Sequence, residues 1–175
     1  MKKIFVVGVV VALGWFIASP YVTVHLMKTA IEKDDGEAFA EHVDFAALRE
    51  NFKDQLQSAW LKKMGISEEN ASLGGMVGAG FGSILIDTMV DKYVTPAALT
   101  EIVQQVPKEK VRTTQESPDS PQYTIFSEAK PRYQGWDKFA VIFPGDDGDA
   151  LKLILRRRGI GWKLTNMIVP SEVWD

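Results

Sequence analysis

The sequence of 175 residues contains no cysteine and only two histidines, His25 and His42. A chain without cysteine forms no disulfide and offers a metal no thiolate ligand. The sequence also lacks the Gly-x-Ser-x-Gly motif of a nucleophile elbow and the Gly-Lys-Ser/Thr ending of a phosphate-binding loop. These absences leave no recognisable catalytic motif, and we predict a protein with no metal site and no cofactor.

Charge is missing from the first long segment, which runs from Ile4 to Val24 behind Lys2 and Lys3. As a helix these 21 residues would be about 31 Å long, close to the hydrocarbon thickness of a bilayer. Lysines ahead of an apolar run hold the N-terminus in the cytoplasm. We therefore predict that residues 1–27 form a membrane anchor or an uncleaved signal. A cleaved signal and a buried helix of a soluble protein remain alternatives.

The rest of the chain lacks a basic excess. Lys2 and Lys3 are two of the 20 basic residues, and all 23 acidic residues follow the apolar run, so residues 19–175 carry a net charge of −5. A mildly acidic domain is a poor electrostatic partner for nucleic acid. We therefore predict that the protein does not bind nucleic acid.

The residues after the anchor form one predicted extracytoplasmic α+β domain, residues 28–175, of which residues 28–106 are helical. Asp44 can cap a helix whose apolar residues recur every three or four positions. Thr95 and Pro96 are typical of another helix start, with threonine as the cap and proline in the first turn. The apolar stripe of the helix after Asp44 consists of Phe45, Leu48, Phe52, Leu56, Trp60 and Met64.

A second uncharged segment, Asn70–Ile86, is rich in glycine. Gly74, Gly78 and Gly82 recur every four residues, which leaves one helix face bare and lets another helix approach closely. Because the segment is short for a membrane span, we favour a buried helix of the soluble domain. A second membrane span that packs through the three glycines is the alternative.

The last third of the sequence changes to the alternating pattern of β-strands. A polar stretch with three prolines, residues 107–121, is the predicted linker to a β-meander over residues 122–170. Short connections favour antiparallel pairing. We predict an α+β fold in which an N-terminal transmembrane helix precedes a helical half packed on a C-terminal antiparallel sheet of about four strands. The predicted strands are Tyr123–Ser127, Phe139–Phe143, Ala150–Arg158 and Trp162–Val169.

Several short motifs follow one another along the chain: Ser19-Pro20-Tyr21, Asp44-Phe45, Val94-Thr95-Pro96, Arg156-Arg157-Arg158-Gly159, Trp162-Lys163-Leu164-Thr165-Asn166 and Val169-Pro170. In this order they resemble a bacterial family named domain of unknown function 2939 (DUF2939), over most of the chain. The resemblance implies an N-terminal membrane segment and an extracytoplasmic domain, mainly in Gram-negative bacteria. It implies no activity and no catalytic residues. We accordingly expect a protein of the bacterial inner membrane with its domain in the periplasm.

Three groups of residues are candidates for a site. Asp87 and Asp91 lie four residues apart, so their carboxylates share a helix face, although such pairs are commonly solvated. A cavity between the helices and the sheet would be lined by Phe52, Phe81, Phe139 and Trp162. Contact with anionic lipid headgroups would use a basic stripe of Lys152, Arg156, Arg158 and Lys163, which can equally be a solvated sheet face. His42 is predicted to be a surface or capping residue.

The preferred hypothesis is a single-pass, membrane-anchored protein whose domain acts without catalysis, by binding or by supporting the cell envelope. Its expected partners are the lipid bilayer, contacted through residues 4–24, and an unidentified protein or a small apolar ligand. One alternative is an enzyme that uses the carboxylates of Asp87 and Asp91. The other is a two-span membrane protein whose helices pack through the glycines of Asn70–Ile86.

Overall fold

The structure is a computed structural model that describes residues 2–65, 73–105, 129–144 and 150–169. Within these ranges five helices precede four strands, which confirms the predicted α+β fold with a helical first half. The helices are α1 (Lys2–Glu32), α2 (Gly36–Ala40), α3 (Phe45–Lys63), α4 (Leu73–Tyr93) and α5 (Pro96–Gln105). The strands are β1 (Lys130–Tyr133), β2 (Lys138–Pro144), β3 (Ala150–Arg158) and β4 (Gly161–Ile168).

The four strands form one antiparallel sheet in the order β1-β2-β3-β4, as the short connections predict. Strands β2, β3 and β4 coincide closely with three predicted strands, whereas the predicted strand Tyr123–Ser127 lies outside the described residues. The sequence does not predict β1, because its four residues include Pro131 and lack an apolar alternation. β1 is an edge strand, and an edge strand accommodates a proline.

Both faces of the sheet carry buried residues. On one face Phe139 lies opposite Leu155, and both side chains are 0% exposed. On the other face Ala140 lies opposite Ile154, and these side chains are 0% and 4% exposed. The predicted packing of the helical half on the sheet concerns the first face, and residues of the second face are buried as well. The core on the first face consists of Met27, Ala30, Phe39, Val43, Leu48, Phe139, Val141, Leu155, Trp162 and Leu164.

The chain around α3 covers the outer edge of β4. The Leu164 N–H donates to the His42 carbonyl over 2.8 Å, and the Asp44 N–H donates to the Leu164 carbonyl over 2.9 Å. Further along β4, the Gln55 side-chain amide donates to the Met167 carbonyl over 3.0 Å. These bonds satisfy backbone groups that an open sheet edge would leave unpaired.

Helix α1 is continuous over 31 residues and has Pro20 in its interior. It neither ends nor restarts at Ser19-Pro20, but its two halves have different surroundings. In the first half Ile4 and Val10 are 78% and 62% exposed, whereas in the second half Met27 is 3% exposed. One apolar helix therefore extends away from the folded body with its first half and enters the core with its second.

From residue 80 onward, where its side chains are described, helix α4 is not buried on all sides as the sequence favours. Its side chains Phe81, Ile84 and Leu85 are 67%, 65% and 61% exposed. Gly82 faces α3, where an added methyl group would lie within 2.8 Å of the Trp60 ring. The predicted close approach of a second helix is therefore confirmed at Gly82.

Candidate functional site

Pro20 interrupts the hydrogen bonds of α1 at the point where the exposed half meets the packed half. A proline has no backbone N–H, so the carbonyl four residues earlier, that of Phe16, loses its helical donor. The Ser19 hydroxyl donates to this carbonyl over 3.0 Å. Ser19 and Pro20 are buried. The sequence thus places an under-bonded carbonyl and a buried hydroxyl where the helix enters the domain.

Two side chains at one end of the sheet donate hydrogen bonds to this part of α1. Arg157 of β3 donates through Nη2 to the Phe16 carbonyl over 3.1 Å. Tyr133 of β1 donates through its hydroxyl to the Ile17 carbonyl over 2.8 Å. The Arg157 bond therefore replaces the donor that the proline removes from the Phe16 carbonyl, and the Tyr133 bond adds a donor at the next carbonyl.

A third contact is buried. Trp162 of β4 donates through Nε1 to the Ser19 hydroxyl over 2.9 Å. Trp162 and Ser19 are 1% and 6% exposed. The hydroxyl thus accepts from the sheet and donates to the Phe16 carbonyl. We name this site the Pro20 junction: residues 16–20 of α1 together with Tyr133, Arg157 and Trp162.

Arg157 is held mainly by aromatic rings. Its guanidinium carbon lies 3.5 Å from the centre of the Phe16 ring and 4.7 Å from that of the Trp162 ring. Its Nε is buried and has no hydrogen-bond partner among the described residues. A guanidinium at such distances from ring faces is attracted by the ring quadrupole. The charge is therefore placed where exposed apolar helix and folded domain meet.

An aromatic cluster supports the junction from the sheet. The ring centre of Tyr133 lies 5.0 Å from that of Phe139 and 6.0 Å from that of Trp162, both edge-to-face. Tyr21 of α1 joins at 4.8 Å from Phe139. Burial raises the pKa of the Tyr133 phenol, against the opposing effect of the Arg157 charge. The phenol therefore stays protonated at neutral pH and remains a donor to α1.

The predicted acidic pair lies on the surface of α4 and bridges to α3. The Lys53 ammonium lies 3.4 Å from a carboxylate oxygen of Asp87 and 3.0 Å from one of Asp91. The hydrogen bond to Asp91 is the main reason that the pKa of Lys53 is raised. The two acidic side chains are 55% and 56% exposed. Acid–base chemistry requires carboxylates that converge in a pocket, and these two surround a lysine at the surface.

The four residues predicted to line an apolar cavity lie in different surroundings. Phe139 and Trp162 meet in the core with ring centres 6.2 Å apart. Phe52 is half-buried on α3, and Phe81 is 67% exposed on α4. A cavity of about 40 Å³ lies between α1, α2 and the sheet, well below the roughly 300–1,000 Å³ of ligand pockets. It is lined by Val24, Met27, Ile31, Phe39, Val141, Leu153 and Leu155.

The predicted basic stripe lies on the β3–β4 hairpin and consists of Lys152, Arg156, Arg158 and Lys163. Arg156 pairs with Asp137 at 2.6 Å, and Arg158 pairs with Asp44 at 2.7 Å. Lys163 donates a hydrogen bond to a backbone carbonyl between α2 and α3. Three of the four cations thus also hold the domain together, and their contact with headgroups stays a prediction.

Two titratable residues lie where the chain crosses from α2 to α3. Burial lowers the pKa of His42, and the charge of Lys163 lowers it further. The pKa of Asp44 is also lowered, because hydrogen bonds from Arg158 and from the Ala47 N–H outweigh the opposing effect of burial. The bond from Ala47 is 3.2 Å long and confirms Asp44 as the cap of α3.

Sequence reasoning missed the Pro20 junction, although two signals pointed to it. In the alternation of β3, Arg157 occupies the same face as Leu153 and Leu155, where a charged residue needs a specific partner. Ser19-Pro20 inside an apolar helix leaves a carbonyl that needs a donor. Nothing local connects these two signals, because they lie more than 130 residues apart.

The sequence profile of a family described as "Protein of unknown function (DUF2939)" matches residues 9–102, which is more than half of the chain. The matched range contains Phe16, Ser19 and Pro20 and ends before the sheet. The resemblance is thereby confirmed over the helical part, and its C-terminal motifs lie beyond the match. Neither a curated protein nor a solved structure matches the chain.

Proposed function

Because the chain belongs to the DUF2939 family, whose function is unknown, we propose from its geometry that it is a membrane-anchored protein with a non-catalytic, extracytoplasmic α+β domain. Its location would be the bacterial inner membrane, with the domain in the periplasm and Lys2 and Lys3 in the cytoplasm. The observation that carries the proposal is the exposed apolar half of α1, Ile4–Ile17, which continues without a break into the core.

The burial of α1 favours an anchor over a core helix. Among the described residues it is the one helix long and apolar enough to cross a membrane, with a mean hydropathy of 2.1 in its most apolar window. Only 13% of that window is buried, whereas the core helix of a soluble protein is mostly buried. A signal sequence near the N-terminus is similarly apolar, so cleavage is the competing outcome.

The contacts of α4 favour one span over two. α4 lies along α3, with Gly82 against Trp60 and with Asp87 and Asp91 around Lys53. A bilayer around α4 would therefore also surround the charged residues of α3, which is costly. We accordingly propose that both helices belong to the extracytoplasmic domain.

The exposed face of α4 favours binding of a partner protein as the role of that domain. Phe81, Ile84, Leu85 and Met89 are 67%, 65%, 61% and 58% exposed and recur at helical spacing. A contiguous apolar face on an otherwise folded domain is typical of an interaction surface. A helix-in-groove contact would use residues at this spacing.

The absence of cysteine makes the topology directly measurable. Three variants are treated in spheroplasts with a membrane-impermeant maleimide. One has a cysteine inserted between Met1 and Lys2, which keeps both lysines, and the other two are Ser58→Cys and Ala97→Cys at exposed positions. We expect labelling at positions 58 and 97 and none at the inserted N-terminal cysteine. Labelling of only one of positions 58 and 97 indicates two spans. Recovery of a shortened protein in the soluble fraction indicates a cleaved signal and contradicts the anchor.

The binding role is tested by photo-crosslinking in the membrane of intact cells. A benzophenone amino acid replaces Leu85 on the apolar face, and a matched variant carries it at Asp54 on the exposed side of α3. We expect a defined protein adduct from position 85 and none from position 54. Adducts with lipid alone at position 85 contradict a protein partner and favour contact of α4 with the bilayer.

A further inference from the structure

The two hairpin turns at residues 134–137 and 159–160 lie at the same end of the sheet. In an antiparallel sheet with the order β1-β2-β3-β4, the first and third connections fall at one end. Tyr133 and Arg157 stand next to these turns, and both donate hydrogen bonds to α1 at the Pro20 junction. The turn end of the sheet is therefore the end that meets the middle of α1.

The direction of α1 follows from its contacts farther along the sheet. Met27 lines the small cavity together with Val141 and Leu153, which lie in the middle of β2 and β3. From N- to C-terminus, α1 therefore runs from the turn end of the sheet toward its middle. Because α1 is continuous, its exposed half, Ile4–Ile17, leaves the domain on the side of the two turns.

Each turn presents one apolar side chain to solvent. Ile160 is 93% exposed and Trp136 is 74% exposed, more than any other large apolar side chain described outside α1. Gly159, with φ of 62°, occupies the first position of a two-residue hairpin loop. The geometry of this turn does not require an isoleucine at position 160. The turn around Trp136 is closed by a bond of 2.9 Å from Gln134 N–H to the Lys138 carbonyl.

The exposed apolar half of α1 is too short to span a bilayer by itself. The 14 residues Ile4–Ile17 are about 21 Å long as a helix, against a hydrocarbon thickness of about 30 Å. The membrane surface must therefore reach at least to the Pro20 junction. The β3–β4 turn begins two residues after Arg157, so it lies up to about 7 Å beyond Arg157 on the membrane side. Trp15 and Tyr21, which flank the junction, are the aromatic residues expected at interfacial depth.

Basic residues lie close to Trp136 and Ile160, which we call the two apolar tips. Arg156, Arg157 and Arg158 end β3 immediately before the turn that carries Ile160. Arg156 and Arg158 pair with the carboxylates of Asp137 and Asp44, so the three arginines exceed their acidic partners by one positive charge. Basic side chains near a membrane surface are attracted by anionic headgroups. The turn end therefore combines exposed apolar side chains with positive charge, which is the composition of a surface that lies on a bilayer.

We propose that Trp136 and Ile160 insert into the boundary between headgroups and acyl chains, in the leaflet from which α1 emerges. The inference rests on the membrane anchor proposed above and adds a second contact of the domain with the same bilayer. The sheet then stands end-on at the membrane, and the two tips fix the tilt of α1 relative to the lipid. The ligand of this surface is the lipid bilayer itself, through its apolar boundary and its anionic headgroups.

Single-cysteine variants of the full chain test the contact, because the natural chain contributes no competing thiol. Ile160→Cys and Trp136→Cys probe the tips. Ile168→Cys is the matched control, since Ile168 is an exposed isoleucine at the opposite end of β4. Val10→Cys reports on the anchor. Each variant carries an environment-sensitive fluorophore and is reconstituted into vesicles of phosphatidylethanolamine and phosphatidylglycerol, with or without brominated acyl chains.

We expect labels at positions 10, 136 and 160 to emit at shorter wavelength and to lose emission in brominated vesicles. The label at position 168 should be quenched by aqueous iodide and unaffected by bromination. A lipid signal at position 10 with aqueous signals at 136 and 160 overturns the tip contact and leaves the anchor standing. An aqueous signal at position 10 overturns the anchor and with it this inference. Lipid signals at both 160 and 168 overturn the end-on orientation.

Discussion

Arg157 contacts Phe16 in two ways, with its guanidinium carbon 3.5 Å from the ring centre and its Nη2 3.1 Å from the carbonyl oxygen. The carbonyl is available because Pro20 cannot donate to it. The proline therefore does more than interrupt a helix. It creates the acceptor through which a strand 141 residues away holds the exposed apolar half of α1.

Replacing Arg157 by leucine should lower the free energy of unfolding by about 1–2 kcal/mol, because it removes the cation–π contact and the hydrogen bond to Phe16. Arg157→Lys should lose most of the same amount, since an ammonium cannot reproduce the planar fork. The measurement is denaturant unfolding of the full chain in micelles. Arg132→Leu, at an exposed position of β1, is the control and should change stability little. Equal effects of the two leucine variants would show that Arg157 makes no special contact.

The buried bond between Trp162 and Ser19 should appear as a coupling energy. Trp162→Phe retains most of the ring and Ser19→Ala retains most of the volume, and each removes one partner of the 2.9 Å bond. Ser19→Ala also removes the bond to the Phe16 carbonyl, which the cycle subtracts because that loss occurs with and without Trp162. In a double-mutant cycle on unfolding free energies we expect a coupling of about 1 kcal/mol. Additive effects of the two substitutions would contradict the bond.

Gly82 and Gly80 should respond oppositely to the same change. A methyl group on Gly82 meets the Trp60 ring within 2.8 Å, so Gly82→Ala should destabilise the domain by about 1–3 kcal/mol. A methyl group on Gly80 has nothing within 4 Å, so Gly80→Ala should be neutral or stabilise the helix by up to about 1 kcal/mol. Thermal unfolding of both variants makes the comparison. Combining Gly82→Ala with Trp60→Ala should restore part of the stability that Gly82→Ala loses. If no stability is restored, the added methyl group does not clash with Trp60.

Stability should decrease as the pH falls below about 6.5, the ordinary pKa of histidine. The pKa of His42 is lowered in the folded state, so the unfolded chain binds the proton first and gains relative stability between 6.5 and the lowered value. His42→Gln should reduce the pH dependence of the free energy of unfolding across this interval. Lys163→Met should reduce this pH dependence in part, because the lysine charge contributes to the lowered pKa of His42. An NMR titration of the His42 ring with a midpoint at or above 6.5 would contradict the assignment.

Much of the fold could be predicted because its signals are local. The uncharged run behind Lys2 and Lys3, the cap at Asp44 and the alternation through β2, β3 and β4 each act over a few residues. The edge strand β1 could not be predicted, since Pro131 disrupts the pattern and its partner strand provides the pairing. The exposure of α4 could not be predicted either, because the sequence pattern of an apolar helix is the same whether its outer face is buried or exposed to solvent.

The sequence by itself determined the apolar first segment, the positions of most helices and strands, and the glycine that lets α3 and α4 meet. Periodicity and capping act between near neighbours, so a single chain segment carries all of their information. Only the tertiary structure decided that the apolar helix is half exposed and half core, and that Tyr133, Arg157 and Trp162 supply the donors around Pro20. Those partners are joined by packing of elements far apart in the chain, which no local pattern encodes.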